Sequence, residues 1–293
     1  MMHRVRHRRS AALAGTMLAV VAWGTPALAQ DATPVAPTDA PAANAPTPLV
    51  TMPTAVGVVR RAATDAAPPR GVAFREADGW KVGGLLVATM LVATADRRGD
   101  AWARRTGVRD DATLRSLSRV GAVSGSWLAL GAGPAAWLLG RARGDSAVQV
   151  MGLRTTEAVV LSGAVISALK VVTGRSRPYA SRDGSPAHWS AFGGWRSDST
   201  RSFASGHAGF AAAAAVTLAA EWRRQGRSGW NTLGPPLVYS LAAITAGSRV
   251  RDRQHWLSDV LMGAAVGTAS ALVVRRWHDA HPANRLDRLL VTH

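Results

Sequence analysis

The sequence contains no cysteine, which excludes disulfide bonds, thiol catalysis and cysteine-ligated zinc. Lysine is almost absent as well, since Lys81 and Lys170 are the only two lysines among 35 basic residues. Charged residues make up only 18% of the chain, and no segment shows the sustained alternation of apolar and polar residues that β-strands produce. The fold must therefore come from helices that pack through apolar surface.

Several common functional motifs are also missing. The chain has no phosphate-binding glycine loop, no dinucleotide-binding glycine motif, no run of zinc ligands and no G-x-S-x-G sequence. The net charge of +17 suits an anionic partner, such as phosphate, an anionic lipid or a nucleic acid. The basic residues are spread along the chain rather than gathered in a tract with interleaved aromatic residues, so no nucleic-acid partner is expected.

Residues 1–29 are typical of a secretory signal peptide. Arginines precede an apolar run over residues 11–23, and Ala27-Leu28-Ala29 follows as an A-x-A cleavage site. The alternative is an uncleaved membrane anchor, although the apolar run is short for a span, which needs ~20 residues. We expect an exported protein, located in the periplasm or in the cell membrane with its functional site on the extracytoplasmic side.

The rest of the chain divides by composition. Residues 30–70 are rich in proline, alanine and threonine, which predicts a disordered linker that buries too little apolar surface to fold. A folded domain is expected over residues 71–280, followed by a C-terminal tail over residues 281–293.

Apolar segments separated by short charged connections predict an all-α fold, a compact bundle of about six helices with a four-helix core. The helices are expected at about 79–95, 112–140, 145–172, 206–224, 234–247 and 253–278, with Gly131 to Pro134 kinking or splitting the second. Small residues line these helices and allow close packing in a membrane or in a soluble bundle. Residues 120–140 form an uncharged run of 21, so membrane association stays open.

Polar residues concentrate in three short stretches at the ends of apolar helices. The first begins at Lys170, which ends an uncharged apolar run where an unpaired ammonium group is costly. Lys170 therefore needs an anionic partner or a route to solvent. Arg177 follows it in the loop, and Pro178 keeps Arg177 out of the helix.

The second stretch, Ser205-Gly206-His207, opens an alanine-rich helix. The first amides of a helix have no acceptor within it and the helix dipole adds positive charge, so this position favours an anion. Gly206 permits a close approach to the backbone, and His207 is placed to exchange a proton with a bound anion.

The third stretch is Ser248-Arg249, followed after five residues by His255 and then by Asp259. His255 and Asp259 are four residues apart, so on a helix they share one face. We expect the Asp259 carboxylate to accept the Nδ1 proton of His255, which leaves Nε2 free for nucleophilic attack.

Together the three stretches resemble the signature of the type 2 phosphatidic acid phosphatase superfamily, which includes bacterial acid phosphatases, lipid phosphate phosphatases and vanadium haloperoxidases. The family pattern is K-x6-RP, then PSGH, then SR-x5-H-x3-D. This chain departs from it at Ala204, which stands where proline is usual. The resemblance covers roughly residues 79 to 278.

The resemblance implies a role for each matching residue. The phosphate-binding groups are Lys170, Arg177, Arg249, and the backbone amides of Ser205 and Gly206. His255 is the nucleophile, His207 the proton donor and Asp259 the partner of His255, with no metal and no cofactor. The implied function is hydrolysis of a phosphate monoester or pyrophosphate, with an amphiphilic lipid phosphate as the expected substrate. Alternatives are a vanadium-dependent haloperoxidase and a non-enzymatic, basic anion-binding protein.

Overall fold

The computed structural model describes residues 76–226, 228–282 and 284–291. The expected signal peptide over residues 1–29 and the linker over residues 30–70 lie outside these ranges. Within them the chain is helical and contains no strand, which confirms the all-α class. Six helices have between 18 and 32 residues, so the bundle is approximately the predicted one.

The helices are labelled in chain order. They are α1 Glu76–Ala93, α2 Asp96–Ala103, α3 Thr106–Arg109, α4 Ala112–Arg143, α5 Ser146–Thr173, α6 Gly206–Gln225, α7 Ser228–Arg251, α8 Leu257–Ala280 and α9 Arg285–Leu290. Two 3-10 turns, Gly193–Trp195 and Asp198–Thr200, lie in the connection between α5 and α6. Helix α9 falls in the segment that was expected to be a tail.

Local signals explain the ends of the long helices. Asp111 and Asp145 accept hydrogen bonds from the amides of residues 114 and 148, and these bonds cap the N-termini of α4 and α5. Gly174 ends α5 with a φ of 54°, a conformation that glycine adopts without steric cost. Ser205 caps α6 in the same way as the two aspartates.

The expected split of the second helix does not occur. Pro134 lies inside the regular helix Ala129–Arg143, and the irregular part of α4 is the π-helical segment Ser124–Leu128. Gly133 lies directly against Gly152 and Thr156 of α5, with no space for a Cβ atom. This close contact with α5 holds the helical turn that contains the proline.

Helix α6 contacts α4, α5, α7 and α8. One buried cluster joins four helices through small residues: Ala129, Ala158, Val159, Ala213, Ala214, Ala271 and Val274. Along the contact between α6 and α8, Gly263 lies against the Ser205 carbonyl and Gly267 against the Gly209 carbonyl, so closely that a Cβ atom would overlap these oxygens. The two helices therefore run parallel, and their N-termini lie at the same end of the bundle.

Helices α4, α5 and α8 are long and apolar enough to cross a membrane. Large apolar side chains lie on the outside of the bundle, for example Trp80 on α1 and Trp127 on α4, which are 88% and 80% exposed. These features fit an association with a membrane.

Candidate active site

The residues of the three motifs meet at one end of the bundle. Lys170 lies in the last turn of α5 and Arg249 in the last turn of α7. Gly206 and His207 begin α6, whose N-terminus lies beside that of α8. His255 lies in the loop, two residues before the first residue of α8.

His255 is buried, and its Nδ1 atom lies 2.7 Å from the backbone carbonyl oxygen of Ser202. A carbonyl only accepts hydrogen bonds, so Nδ1 carries a proton and donates it. In the neutral imidazole Nε2 then has a free lone pair. The ring is therefore in the tautomer that a nucleophile requires.

The expected relationship between His255 and Asp259 is wrong in its geometry. Helix α8 begins at Leu257, so His255 lies in the preceding loop and the two residues do not share a helix face. The Asp259 Oδ2 atom is 3.8 Å from His255 Nδ1 and instead accepts hydrogen bonds from the Trp256 amide and the Ser202 hydroxyl. The capping of α8 by Asp259 explains the difference, because it directs the carboxylate to the helix start.

Each of the three cationic residues is held by hydrogen bonds. Lys170 Nζ donates to the backbone carbonyl of Arg201 at 2.7 Å, and an ammonium group has three protons, so it can also bind an anion. Arg177 donates to Gln254 at 2.6 Å and to Asp198 at 2.8 Å.

The third cation, Arg249, is buried in the last turn of α7. Its Nε donates to the Ser248 hydroxyl at 3.1 Å, and Ser248 in turn donates to the Thr245 carbonyl. Ser248 therefore orients the guanidinium of Arg249, the next residue of the SR motif.

The pKa values of His207 and His255 are shifted by burial and by the nearby cations. Burial, followed by the positive charge of Arg249, the interaction with His255 and the positive charge of Lys170, lowers the pKa of His207 to about 4. Burial also lowers the pKa of His255 to about 4, with Lys170 lowering it further and Asp259 opposing the shift. Both imidazoles are therefore neutral near pH 7 when no anion is bound.

Ser205 differs from its expected role. Its backbone amide donates to the Asp259 carbonyl at 2.9 Å, so this amide is engaged and does not face a phosphate. Its hydroxyl accepts from the Ala208 amide at the start of α6. The amides of Gly206 and His207 are the first two of α6 and have no acceptor within the helix, so they are the backbone donors at this position.

Sequence reasoning missed Arg175, which lies inside the K-x6-RP motif and is only 2% exposed. Its guanidinium donates to Asp259, to the Ser258 hydroxyl, and to Asp96 at the start of α2. The only sequence signal is an arginine placed directly after a helix-ending glycine. Its partners are distant in sequence, so local patterns do not reveal them.

The connection between α5 and α6 forms part of the site. It supplies the backbone carbonyls of Arg201 and Ser202, which hold Lys170 and His255. The Phe192 amide donates to the Val172 carbonyl at the end of α5, so this segment packs directly beside the turn that carries Lys170. Phe192 and Trp195 are 64% and 78% exposed there.

Comparison with known proteins agrees with this arrangement. Residues 152–282 match the family model described as the PAP2 superfamily. A segment of 109 residues is 35% identical to a lipid A 1-phosphatase from Porphyromonas gingivalis, and it covers 37% of this chain but only 20% of that relative. No solved structure matches significantly. The matched residues include all three motifs, so this part of the chain is similar to the PAP2 superfamily.

Proposed function

We propose that this chain is an exported, metal-independent phosphatase that hydrolyses a phosphate monoester or pyrophosphate of an amphiphilic lipid through a phosphohistidine intermediate. The observation that carries this proposal is the state of His255. Its Nδ1 proton is bound to the Ser202 carbonyl, and Lys170 and Arg177 act on the same ring. A nucleophilic nitrogen therefore lies among fixed positive charges.

In the first step, Nε2 of His255 attacks phosphorus in line with the leaving oxygen. A P–N bond forms as the P–O bond breaks, and His207 gives a proton to the leaving oxygen. Lys170, Arg177 and Arg249 stabilise the negative charge on the transferring phosphoryl oxygens, the arginines through forked hydrogen bonds. The Gly206 amide adds a donor at the helix N-terminus.

In the second step, a water molecule attacks phosphorus from the side that the leaving group has vacated. His207, now neutral, accepts a proton from this water, and the P–N bond breaks. Inorganic phosphate leaves, and His255 returns to its neutral form with its Nδ1 proton still donated to the Ser202 carbonyl.

His207 must be protonated in the first step, although its pKa in the empty site is about 4. A phosphate dianion placed beside the imidazole favours the charged form and raises this pKa. The substrate thus brings about the protonation of its own acid catalyst.

Three observations favour a lipid as the substrate. Helices α4, α5 and α8 fit a membrane, and Lys170 lies in the last turn of α5. The exposed Phe192 and Trp195 lie beside that turn, and tryptophan is enriched at the membrane–water interface. The relative that matches residues of this chain is a phosphatase of lipid A. The phosphate site would then lie at the depth of the lipid headgroups.

Phosphate release from lipid phosphates in detergent and in vesicles, compared with release from a soluble aryl phosphate, tests the proposal. We expect release from the lipids in the presence of EDTA, inhibition by vanadate, and loss of activity in His255→Gln. His188→Gln is the matched control, because the His188 ring is half exposed and contacts Asp183. Activity that is lost in EDTA and restored by zinc or magnesium, or that persists in His255→Gln, would contradict the proposal.

A further inference from the structure

We propose that Arg175 is a positioning residue for His255, acting through Asp259 and Ser202. The inference rests on the proposed function for the role of His255, and it concerns a residue to which the motif comparison gives no role. The argument follows the chain of contacts from the guanidinium to the imidazole.

Arg175 is fixed on all sides. In addition to its bonds with Asp259, Ser258 and Asp96, its Nε donates to the Pro186 carbonyl at 3.0 Å. The rings of Trp189 and Trp256 lie 4.6 and 5.5 Å from the guanidinium carbon. Since its edges and faces are occupied by protein groups, Arg175 acts on the reaction through other residues and not on the phosphate.

The next link is the Asp259 carboxylate, which is fully buried. Oδ1 accepts from Arg175 and Oδ2 accepts from the Ser202 hydroxyl and the Trp256 amide. A buried carboxylate needs a cation or several donors to stay charged, and here the guanidinium supplies the cation.

The last link is Ser202, which connects Asp259 to His255. Its hydroxyl donates to Asp259, and its backbone carbonyl accepts the Nδ1 proton of His255 at 2.7 Å. The contact between Asp259 and His255 is longer, at 3.8 Å. Arg175 therefore holds Asp259, Asp259 holds Ser202, and the Ser202 carbonyl sets the plane and tautomer of the imidazole.

Loss of Arg175 changes both the geometry and the charge at His255. Without the guanidinium, Asp259 is free to move toward Nδ1, where it turns the ring away from the line of attack. Four groups act electrostatically with His255: Asp259 from α8, Lys170 from α5, Arg177 from the connection and His207 from α6. An unopposed Asp259 favours the protonated ring, so the acidic limb of the activity profile is expected to move to higher pH.

The test compares Arg175→Gln, Arg175→Lys and Ser202→Ala with Arg182→Gln, a control at an exposed arginine in the same connection. We expect Arg175→Gln to lower kcat by about 100-fold, as a small misplacement of a reacting group does, with KM and vanadate inhibition nearly unchanged. Arg175→Lys should recover part of this loss because it keeps the charge. Ser202→Ala, which keeps the carbonyl but loses the hydroxyl, should show a smaller loss in the same direction.

The 15N chemical shifts of the His255 ring, measured with and without vanadate, provide a readout that needs no substrate. Arg175→Gln or Ser202→Ala should shift these signals toward protonated or exchanging forms at a pH where the wild-type ring is a single neutral tautomer. If both variants change only the folded fraction, and leave the ring shifts, the acidic limb and kcat per folded molecule unchanged, the inference is overturned. A wild-type protein that hydrolyses no phosphate ester, but whose ring shifts respond as expected, would refute the proposed function alone.

Discussion

The Nδ1 atom of His255 donates its proton to the backbone carbonyl of Ser202 at 2.7 Å, while the Asp259 carboxylate lies 3.8 Å away. The partner that fixes the His255 ring, the proposed nucleophile, is therefore a main-chain group from the connection before α6. Asp259 holds Ser202 in place by accepting a hydrogen bond from its hydroxyl. In the proposed mechanism, this connection therefore positions the reacting imidazole.

Replacement of Asp259 tests this arrangement. Asp259→Asn removes the charge opposite Arg175 and weakens the hold on Ser202, so we expect turnover to fall by about 100-fold while vanadate still binds. The control is Asp279→Asn in the same helix, because Asp279 forms a surface ion pair with Arg224 that is worth at most about 1 kcal/mol. Preserved turnover with a large loss of vanadate affinity would instead place Asp259 in phosphate binding.

The pH dependence follows from the two lowered pKa values. In the proposed mechanism His255 must be neutral to attack, and because its pKa is about 4, the neutral form persists well below the pKa of an ordinary histidine. His207 must be protonated, and its pKa is also about 4 in the free enzyme. We therefore expect kcat/KM to be highest near pH 4 and to decline toward neutral pH.

The profile of kcat should differ, since it reports the substrate-bound site. A bound phosphate dianion raises the pKa of His207, so the alkaline limb of kcat should lie at higher pH than that of kcat/KM. Profiles measured on a soluble phosphate ester provide both curves. An acidic limb near the ordinary histidine value of about 6.5 would show that burial does not control His255.

The exposed aromatic residues provide a test of substrate class. Phe192→Ala and Trp195→Ala remove large apolar side chains beside the Lys170 turn, each worth ~1.5–3 kcal/mol if it is buried in a lipid interface. We expect kcat/KM on vesicle-bound lipid phosphates to fall by at least about 10-fold, with activity on a soluble ester unchanged. Leu289→Ala on α9 is the control, because it removes another exposed apolar side chain. Equal losses on both kinds of substrate would argue against a lipid-contacting role.

The close packing of α6 and α8 gives a prediction on stability. A Cβ atom at Gly263 would overlap the Ser205 carbonyl, so Gly263→Ala must separate the N-termini of the two helices. We expect a loss of ~1–3 kcal/mol in the free energy of unfolding, accompanied by a loss of activity. Gly131→Ala in α4, where a Cβ atom meets open space, should instead be neutral or stabilise the protein. Thermal unfolding of both variants in the same detergent measures the difference.

The sequence predicted the helical class and the approximate positions of the long helices, because apolar periodicity and helix caps are local signals. It also predicted the cations Lys170, Arg177 and Arg249, which stand at recognisable spacings. It placed His255 within a helix, but α8, which is capped by Trp256 and Asp259, begins at Leu257. A four-residue spacing does not distinguish a helical face from a loop followed by a helix start.

The buried ion pairs could not be predicted in this way. Asp96 and Arg175 are 79 positions apart, and their contact depends on α2 packing against the start of α8. The hydrogen bond from the Ser205 amide to the Asp259 carbonyl could not be predicted either, because it depends on the parallel contact of α6 and α8. Such features arise from tertiary packing, which no single segment encodes.

Trapping of the covalent intermediate tests the central claim most directly. Enzyme mixed with a labelled phosphate ester and quenched within one turnover should carry acid-labile, base-stable phosphate on the peptide that contains His255, and the control His188→Gln should carry it too. Label found on a different residue, or full label on a variant that lacks the His255 imidazole, would contradict the account.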